Sequence, residues 1–392
     1  MKILVVCQYY YPENFVISKI AEELVRLGHE VEVLTGKPNY GYGRIIPEYK
    51  NVKKEVINGV LVHRVKLIAR KKSRLSIINN YLSFWLNSKK WVKKTKEHYD
   101  VVFSMSLSPV TICSAGNLYK KKHGVKHIIH CVDLWPESTI VTHAVRKGSL
   151  VYKILYKWSR DIYKKADEIL VGSPSFSDYF ANVLKLPTSN ITYIPQCSLV
   201  EKTEPPYFEY GEGTHILYCG NLGTIQLIPL ITEAMSLVED KSIYFHIIGM
   251  GPMSDCLVND IKKRGLENNV IYHGPIIAKK AAKYFVNADA LYVSLKSEGI
   301  VGKTIPNKLT MSMAFARPII AMLKGDGEAA LKESQGALFA DENAQSLAEA
   351  IIKLSKMSKE EKDSLGNRNR RYFDENFSLE KVAQSINKHL ID

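Results

Sequence analysis

Residues 2–36, KILVVCQYYYPENFVISKIAEELVRLGHEVEVLTG, decide the fold class of this chain. Ile3–Val6 is a continuous apolar run, which is typical of a strand buried on both faces. Apolar residues then recur at helical spacing across 17–24, and Gly28 stands where a glycine commonly ends a helix. Val31–Leu34 is a second apolar run. This strand–helix–strand order predicts an α/β fold with a parallel sheet.

The same alternation continues along the 392 residues and restarts after a polar segment. Further strands are predicted at 100–103, 127–130, 169–171, 216–219, 244–248, 270–272, 290–293 and 318–321. Residues 201–213 (EKTEPPYFEYGEG) hold two prolines and two glycines and are predicted to be a linker. We therefore predict two doubly wound domains, 1–200 and 214–370. The tail 371–392 is expected to be a final helix that crosses back to the first domain.

The composition favours an anionic partner, because 54 Lys and Arg face 40 Asp and Glu and the net charge is +14. Nucleic acid, a membrane surface and a phosphorylated substrate all fit that charge. The six cysteines form no CxxC pair, which predicts a reduced cytosolic protein without a metal site. No stretch reaches the roughly 18–20 apolar residues of a membrane span, so we expect a soluble or peripheral protein without a secretion signal.

Two glycine-rich turns follow predicted strands in the second half, Gly220-Asn221-Leu222-Gly223 and Gly249-Met250-Gly251. Ligands of parallel sheets bind at the carboxyl ends of strands. Glycine lets backbone amides approach a diphosphate there, and a helix N-terminus favours its negative charge. A purely structural role remains open for both turns.

The segment 294–308 (SLKSEGIVGKTIPNK) concentrates charge after another predicted strand. Around Glu298 and Pro306 stand three lysines, Lys296, Lys303 and Lys308. A departing diphosphate develops negative charge, which lysines and helix dipoles neutralise where no metal does so. The alternative is a solvated lysine-rich loop.

In the first half, Asp133-Leu134-Trp135-Pro136-Glu137-Ser138 directly follows a strand. Carboxylates accept hydrogen bonds from sugar hydroxyls, and tryptophan offers an apolar face. His130 is a candidate for the same site or simply a core residue of its strand. At this predicted sugar site we assign five residues to the side of the sugar acceptor: Pro12, Glu13, His130, Trp135 and Glu137.

Between Val56 and Lys96 there are eleven Lys or Arg and no acidic residue. Apolar residues recur at helical spacing inside this stretch, which is typical of a helix at an anionic bilayer surface. We therefore predict membrane contact through Arg70–Lys96. A second basic, amphipathic stretch, 146–165, is interpreted as packing on the sheet.

Together these segments resemble glycosyltransferase family 4, in the branch of bacterial L-fucosamine-type, O-antigen and capsule transferases. The specific matches are DLWPES at 133–138 and TIPNKLTMSMAFARPIIA at 304–321. The resemblance implies the GT-B fold, two Rossmann-like domains facing a cleft, with the acceptor on the first domain and the nucleotide on the second. It also implies retention of anomeric configuration, no metal and no cofactor.

Carried over by position, Glu298 matches the first acid of the family's E-x7-E motif, which contacts the donor sugar. Gly220 and Gly223 match the glycine loop at the diphosphate. Asp133 matches the acid of a His-Asp pair near the reacting centre, with Val132 in place of the histidine. We assign Asp133, Glu298 and Lys308 to catalysis.

This sequence departs from the family pattern at two points. The second acid of E-x7-E is replaced by Pro306 or Met311, depending on the anchor of the alignment. Asn221 and Gln226 stand where an arginine and a lysine are usual. Neutralisation of the diphosphate is therefore expected to fall to Lys303 or Lys308.

The predicted function is transfer of an N-acetylated amino or deoxyamino sugar, with a hexosyltransferase-type activity. The resemblance implies a UDP-sugar donor, a polyprenyl-diphosphate-linked saccharide acceptor and a place at the inner face of the bacterial membrane. A UDP-sugar 2-epimerase and a basic nucleic-acid-binding protein are the rival functions. No nucleic-acid-binding module is readable, so no nucleic-acid partner is expected. The absence of GxSxG, GxxxxGK[ST] and GxGxxG motifs argues against a hydrolase, a kinase and a dehydrogenase.

Overall fold

The computed structural model describes residues 1–71, 73–141, 144–199 and 210–392. These form two compact units, one of Met1–Cys197 with Leu379–Asp392 and the other of Ser198–Ser378. Most of the predicted linker, residues 201–209, lies outside the described residues.

The first unit is built on an eight-stranded sheet. Its strands are β1 (Lys2–Val6), β2 (Glu30–Gly36), β3 (Lys54–Ile57), β4 (Val60–Val65), β5 (Val101–Ser106), β6 (Lys126–Cys131), β7 (Glu168–Val171) and β8 (Ile191–Tyr193). The order across the sheet is β3-β4-β2-β1-β5-β6-β7-β8. Every neighbouring pair is parallel except β3 and β4.

The sequence prediction missed the antiparallel β3–β4 hairpin. Its turn is Asn58-Gly59, and both residues have positive φ (49° and 82°). That dipeptide suits a two-residue hairpin turn, because asparagine and glycine tolerate left-handed backbone. The sequence therefore contains the turn signal of this hairpin, within the basic stretch between Val56 and Lys96.

Helices cover both faces of this sheet. They are α1 (Ile17–Arg26), α2 (Arg74–Lys94), α3 (Ser114–His123), α4 (Glu137–Val141), α5 (Leu150–Tyr163) and α6 (Phe176–Asp178). Ser73 and Ser149 cap α2 and α5, their hydroxyls accepting from the amides of Ser76 and Tyr152. The two longest helices of this unit thus begin at serines that satisfy otherwise unpaired amides.

The second unit has a six-stranded, wholly parallel sheet in the order β11-β10-β9-β12-β13-β14. Its strands are β9 (Thr214–Cys219), β10 (Ile243–Ile248), β11 (Val270–Gly274), β12 (Ala290–Ser294), β13 (Ile319–Met322) and β14 (Ala337–Phe339). Its helices are α7 (Pro229–Leu237), α8 (Ser254–Lys263), α9 (Ala278–Asn287), α10 (Asn307–Met313), α11 (Asp326–Ser334), α12 (Ala344–Ser355) and α13 (Lys359–Asn376). The predicted fold class, two parallel-sheet α/β domains, is confirmed.

The C-terminal helix α14 (Leu379–Ile391) belongs to the first unit. Val382, Ile386 and Leu390 are buried in the same core cluster as Ile3 and Ile17. The tail is not one continuous helix from residue 371, because α13 runs to Asn376 before α14 starts.

Three histidines form a hydrogen-bonded row across the second sheet. His215 Nδ1 lies 3.0 Å from His246 Nε2, and His246 Nδ1 lies 3.0 Å from His273 Nε2. Burial, with repulsion from the two neighbouring imidazoles, lowers the pKa of His246 to about 3. The row is therefore held neutral in the folded protein.

Because the folded pKa of His246 lies below the unfolded value of 6.5, its neutral form stabilises the fold fully above pH 6.5. That stability is lost as pH falls toward the folded pKa, by about 2 kcal/mol at pH 5. We expect His246→Gln, which keeps a donor and an acceptor, to reduce the pH dependence of the free energy of unfolding. Urea titrations at pH 7.5 and pH 5 measure this dependence. The exposed His98→Gln is the control, and equal pH dependence in wild type and His246→Gln would contradict the assignment.

Candidate functional site

The two glycine turns lie side by side at the carboxyl ends of β9 and β10. Gly220 N donates to Ile248 O at 2.9 Å. A Cβ on Gly249 would stand 1.8 Å from Gly220 O, and one on Gly251 would stand 2.4 Å from Leu222 O. Gly249 and Gly251 therefore have a packing role, since only glycine lets the second turn approach the first this closely.

Lys308 reaches from the first turn of α10 to the glycine turn at Gly220–Gly223. A Cβ on Gly220 would lie 3.0 Å from its Nζ, which also lies 3.6 Å from the ring centroid of Tyr218. The Nζ is buried and has no hydrogen-bond partner within the described ranges. Burial lowers the pKa of Lys308 to about 7. An anion placed at this turn would supply the missing partner and favour the charged ammonium.

A second unsatisfied polar group flanks the same turn. Gln226 Oε1 is buried without a partner in the part of the chain described, and a Cβ on Gly223 would lie 2.4 Å from it. The amide nitrogen and oxygen exchange places by rotation, so Gln226 can present a donor or an acceptor here. The amides of Asn221 and Gly223 donate to no carbonyl among the described residues. The turn thus gathers several free donors around Gly220–Gly223.

Glu298 occupies a different environment. Its side chain is 77% exposed and pairs with Lys296 at 2.7 Å, and this hydrogen bond lowers its pKa. Lys303 is also exposed, and Pro306 directly precedes α10. The structure therefore brings Lys308, but not the carboxylate of Glu298, into hydrogen-bonding or packing contact with the glycine turn.

One residue that the sequence prediction missed anchors this loop. Glu342 Oε1 accepts from the amide of Ser297 at 2.7 Å. Glu342 lies 44 positions after Glu298, in the segment between β14 and α12. No local signal in the sequence connects the two segments, and only the order of the strands brings them together.

In the first unit, Asp133 lies beyond the carboxyl end of β6. Ser108 Oγ donates to its Oδ2 at 2.6 Å and lies 2.8 Å from the hydroxyl of Ser138. Burial raises the pKa of Asp133, although both serines lower it. Asp133 is thus a half-enclosed carboxylate held by two hydroxyls.

The other two predicted acids of this unit hold its own backbone and side chains. Glu13 Oε1 accepts from the amides of Asn39 and Tyr40 at 2.7 and 2.6 Å. Glu137 Oε1 accepts from the hydroxyl of Tyr152 at 2.7 Å. Both carboxylates are buried and have partners within the chain, and their contact with an acceptor stays a prediction.

His130 is a core residue. It is fully buried in β6, its Nε2 lies 3.0 Å from Ile194 O, and burial lowers its pKa to about 4. Trp135 is 7% exposed, and its carbonyl accepts from Ser159. Pro12 is half-buried in the loop after β1. Solvent does not reach His130, as the core alternative for this residue predicts, and its contact with an acceptor stays a prediction.

Arg70 forms a site that the sequence prediction missed. Its Nη1 donates to the hydroxyl of Tyr81 at 3.0 Å and to that of Tyr9 at 3.4 Å, and its guanidinium lies 5.1 Å from the Tyr40 ring centroid. Burial raises the pKa of Tyr81, the charge of Arg70 lowers it and that of Asp133 raises it. Arg70 has no carboxylate partner in the described chain. It points inward, not to the membrane surface predicted for it.

Within the described residues, no group of three or more His, Cys, Asp or Glu is arranged to hold a metal ion. The helices described here also include none that is long and apolar enough to span a bilayer.

Comparison with known proteins defines the class. Residues 14–197 match the family described as "Glycosyl transferase 4-like domain", and residues 213–357 match "Glycosyl transferases group 1". The two matched segments account for most of the chain, which therefore belongs to the glycosyltransferases built from this pair of domains. The family resemblance inferred from DLWPES and the segment before β13 is confirmed.

Two bacterial relatives place the chain within that class. It is 26% identical over 241 residues to WbjE of Pseudomonas aeruginosa, assigned as a glycosyltransferase, covering 58% of each chain. It is 24% identical over 334 residues to WcaI of Escherichia coli (strain K12), covering 80% of this chain and 81% of that one. WcaI is assigned as a glycosyl transferase of colanic acid biosynthesis. The chain spans little more than half the length of WbjE.

Solved structures share the fold at low sequence identity. Sucrose-phosphate synthase from Thermosynechococcus elongatus superposes with a TM-score of 0.72 at 16% identity, over 99% of this chain and 98% of that one. Anabaena HepE in complex with UDP superposes with a TM-score of 0.67 at 11% identity, over the whole of both chains.

Because the two glycine turns are in contact, a side chain at Gly249 should destabilise the fold. Gly249→Ala places a methyl group into Gly220 O, so we expect it to lower the free energy of unfolding by about 3 kcal/mol. Gly172→Ala is the matched control, because its Cβ would meet nothing closer than 3.4 Å. Chemical denaturation measures both, and equal effects of the two substitutions would refute the packing role of Gly249.

Proposed function

We propose that this glycosyltransferase transfers a sugar from a UDP-sugar to a lipid-linked saccharide during synthesis of a bacterial surface polysaccharide. The observation that carries the proposal is the buried Nζ of Lys308, which has no anionic partner beside the turn Gly220–Gly223. The UDP complex of HepE and the assignment of WcaI to colanic acid synthesis support the donor and the pathway class.

In this proposal the diphosphate of the donor occupies the glycine turn. The amides of Asn221 and Gly223 and the side chain of Gln226 supply hydrogen bonds, and Lys308 supplies the charge. A short glycine turn at the end of a strand suits this role, because amides and a cation face one point.

Transfer is proposed to proceed with retention, by attack of the acceptor hydroxyl on the face that the diphosphate leaves. The departing UDP gains negative charge, and Lys308 stabilises that charge in a site poor in water. The leaving phosphate takes the acceptor proton, so no protein base and no metal are required. Glu298 gives up its ion pair with Lys296 and contacts the donor sugar instead. Lys303 and Pro306 lie beside this contact.

On the acceptor side, Asp133 receives a hydrogen bond from the sugar, and Arg70 binds the diphosphate of the lipid carrier. Arg70 lies in an aromatic setting of Tyr9, Tyr40 and Tyr81 without a carboxylate among the described residues. A guanidinium held in this way has donors left for phosphate oxygens.

Contact with the inner face of the membrane is proposed for α2. Leu75, Ile78, Leu82 and Leu86 are exposed along one side of it, although Asn80, Phe84, Ser88 and Val92 are buried toward the sheet. Lysines border the exposed row, which suits an anionic surface.

We expect Lys308→Ala to lower kcat for sugar transfer by about 100- to 1,000-fold, because one preorganised charge contact is removed from the transition state. The measurement is turnover with UDP-, GDP- and dTDP-sugars in the presence of membrane extract. Lys332→Ala, an exposed lysine on α11 paired with Glu328, is the control. Near-normal turnover in Lys308→Ala would reject the role of this lysine.

Proton uptake provides a second test of the same residue. With a pKa of about 7 in the free protein, Lys308 is mostly neutral at pH 8, and a bound diphosphate raises that pKa. Calorimetry of UDP binding at pH 8, in two buffers of different ionisation enthalpy, should report uptake of nearly one proton. Uptake should vanish below pH 6, where the lysine is already charged. Heats independent of the buffer at pH 8 would contradict this.

For Arg70, we expect Arg70→Gln to raise the Kd of farnesyl diphosphate about tenfold, because hydrogen bonds to a charged phosphate are lost. The Kd is measured with saturating UDP, which fills the donor site. Arg74→Gln, an exposed arginine at the start of α2, removes the same charge and should change the Kd little. Equal Kd values for wild type and Arg70→Gln would exclude Arg70 from phosphate recognition.

The two rival functions give different results in the same assays. A 2-epimerase would convert UDP-sugar without any dependence on acceptor. A nucleic-acid-binding protein would bind DNA in a salt-dependent manner and take up no sugar nucleotide.

A further inference from the structure

A groove of about 700 Å³ opens on the first unit between α2, α3 and α5. At its rim the indole rings of Trp85 and Trp158 stack at 5.9 Å between centroids with an interplanar angle of 26°. Trp158 is exposed and Trp85 half-buried. The lining also includes Asn117, whose side-chain amide donates to Ile162 O. The volume is in the range of sites that hold a small ligand.

The groove is strongly cationic. Five lysines line it, but only one carboxylate does, that of Asp161. Within the described chain Lys120 is the only one of these lysines that forms an ion pair, with Asp167. The remaining lysines of the lining, which form no ion pair in the described chain, are Lys89, Lys121, Lys164 and Lys165. Lys89 Nζ lies 4.6 Å from the ring centroid of Trp85. Burial lowers the pKa of Lys89, and Lys93 and Lys165 lower it further. A bound anion would relieve this mutual repulsion.

Two rows of exposed apolar side chains lead into the groove. On α5, which the sequence analysis interpreted as packing on the sheet, the exposed residues are Leu150, Val151, Ile154 and Trp158. On α2 they are Leu75, Ile78, Leu82 and Leu86. Trp158 is the last residue of the row on α5, and Trp85 directly precedes Leu86, the last residue of the row on α2. The stacked indole pair therefore connects the two rows and lines the groove together with the lysines.

We propose that this groove binds the headgroup of one anionic phospholipid, with its phosphate among Lys89, Lys121, Lys164 and Lys165 and its acyl chains along the two apolar rows. The occupant is a lipid of the bilayer, because cationic groups and exposed aliphatic side chains are contiguous here, and an amphiphile satisfies both. A nucleic acid would leave Leu75 and Leu150, 68% and 74% exposed, without a partner. The inference rests on the proposed membrane contact and makes it a defined site.

Co-sedimentation with vesicles tests the charge of the site. Wild type should bind phosphatidylcholine vesicles that contain 30% phosphatidylglycerol and should bind pure phosphatidylcholine weakly. The triple variant Lys89→Gln, Lys164→Gln, Lys165→Gln should lose at least about tenfold in partitioning. The matched control is Lys90→Gln, Lys94→Gln, Lys96→Gln, which removes the same charge from exposed positions outside the groove. The control should lose much less vesicle binding than the groove variant. An equal loss would show that diffuse surface charge, and not the groove, binds the vesicles.

Brominated lipids test the apolar arm. Bromine in the acyl chains should quench the indole fluorescence of wild type, and Trp85→Phe with Trp158→Phe should abolish the quenching. Two tryptophans remain in that variant and serve as internal references, the buried Trp135 and Trp91, which is half-buried against His63. Quenching that persists in the double variant would overturn the assignment of the tryptophan pair. An oligonucleotide that binds wild type but not the lysine triple, without any vesicle binding, would assign the groove to nucleic acid instead.

UDP-sugar hydrolysis in solution separates this inference from the proposed function. The groove variants should hydrolyse donor at the wild-type rate, because the groove lies in the first unit and the glycine turn in the second. Vesicle binding without donor turnover in wild type would reject the proposed function but support the lipid site in the groove. Donor turnover without vesicle binding would do the reverse.

Discussion

A parallel sheet that is buried on both faces leaves its edges as the place for polar chemistry, and this constraint organises both units. Residues Ile3–Val6 in β1 and Ile216–Tyr218 in β9 are fully or almost fully buried. Polar groups that serve a ligand must therefore stand in the loops after the strands. Gly220 after β9 and Asp133 after β6 occupy such places.

Charged side chains with partners inside the chain support the fold, and those without such partners are open to a ligand. Glu13 and Glu137 are buried carboxylates whose oxygens accept from this chain's own amides and hydroxyl. Lys308 and Arg70 are cations without carboxylate partners within the described residues. A buried charge is costly unless it is paired, and burial therefore favours the neutral form of Lys308 until an anion binds. Both positions suit phosphate, which agrees with the chemistry proposed for donor and carrier.

The first unit also has an exposed apolar surface, which differs from the polar loops at the carboxyl ends of its strands. Along α2, Phe84 and Val92 pack toward the sheet, but Ile78 and Leu86 face solvent. A helix that is apolar on both sides leaves one apolar row in water, and such rows commonly mark interaction surfaces. This exposed apolar row and the lysines of the groove are the basis of the proposal that an anionic lipid binds here.

The fold class, the glycine turn at Gly220 and the helical position of Lys308 can be predicted from the amino-acid sequence, because their signals are local: continuous apolar runs, glycine spacing and a proline before a helix. The sequence could not separate Asp133 from Glu137, which share one short motif, since only packing decides that Tyr152 takes the second carboxylate. Tertiary structure alone turned Arg70 inward, brought Glu342 to the loop of Glu298 and joined Trp85 to Trp158. These contacts connect residues 11 to 73 positions apart, and no periodicity of the chain encodes which distant side chains meet at one edge of a sheet or between two helices.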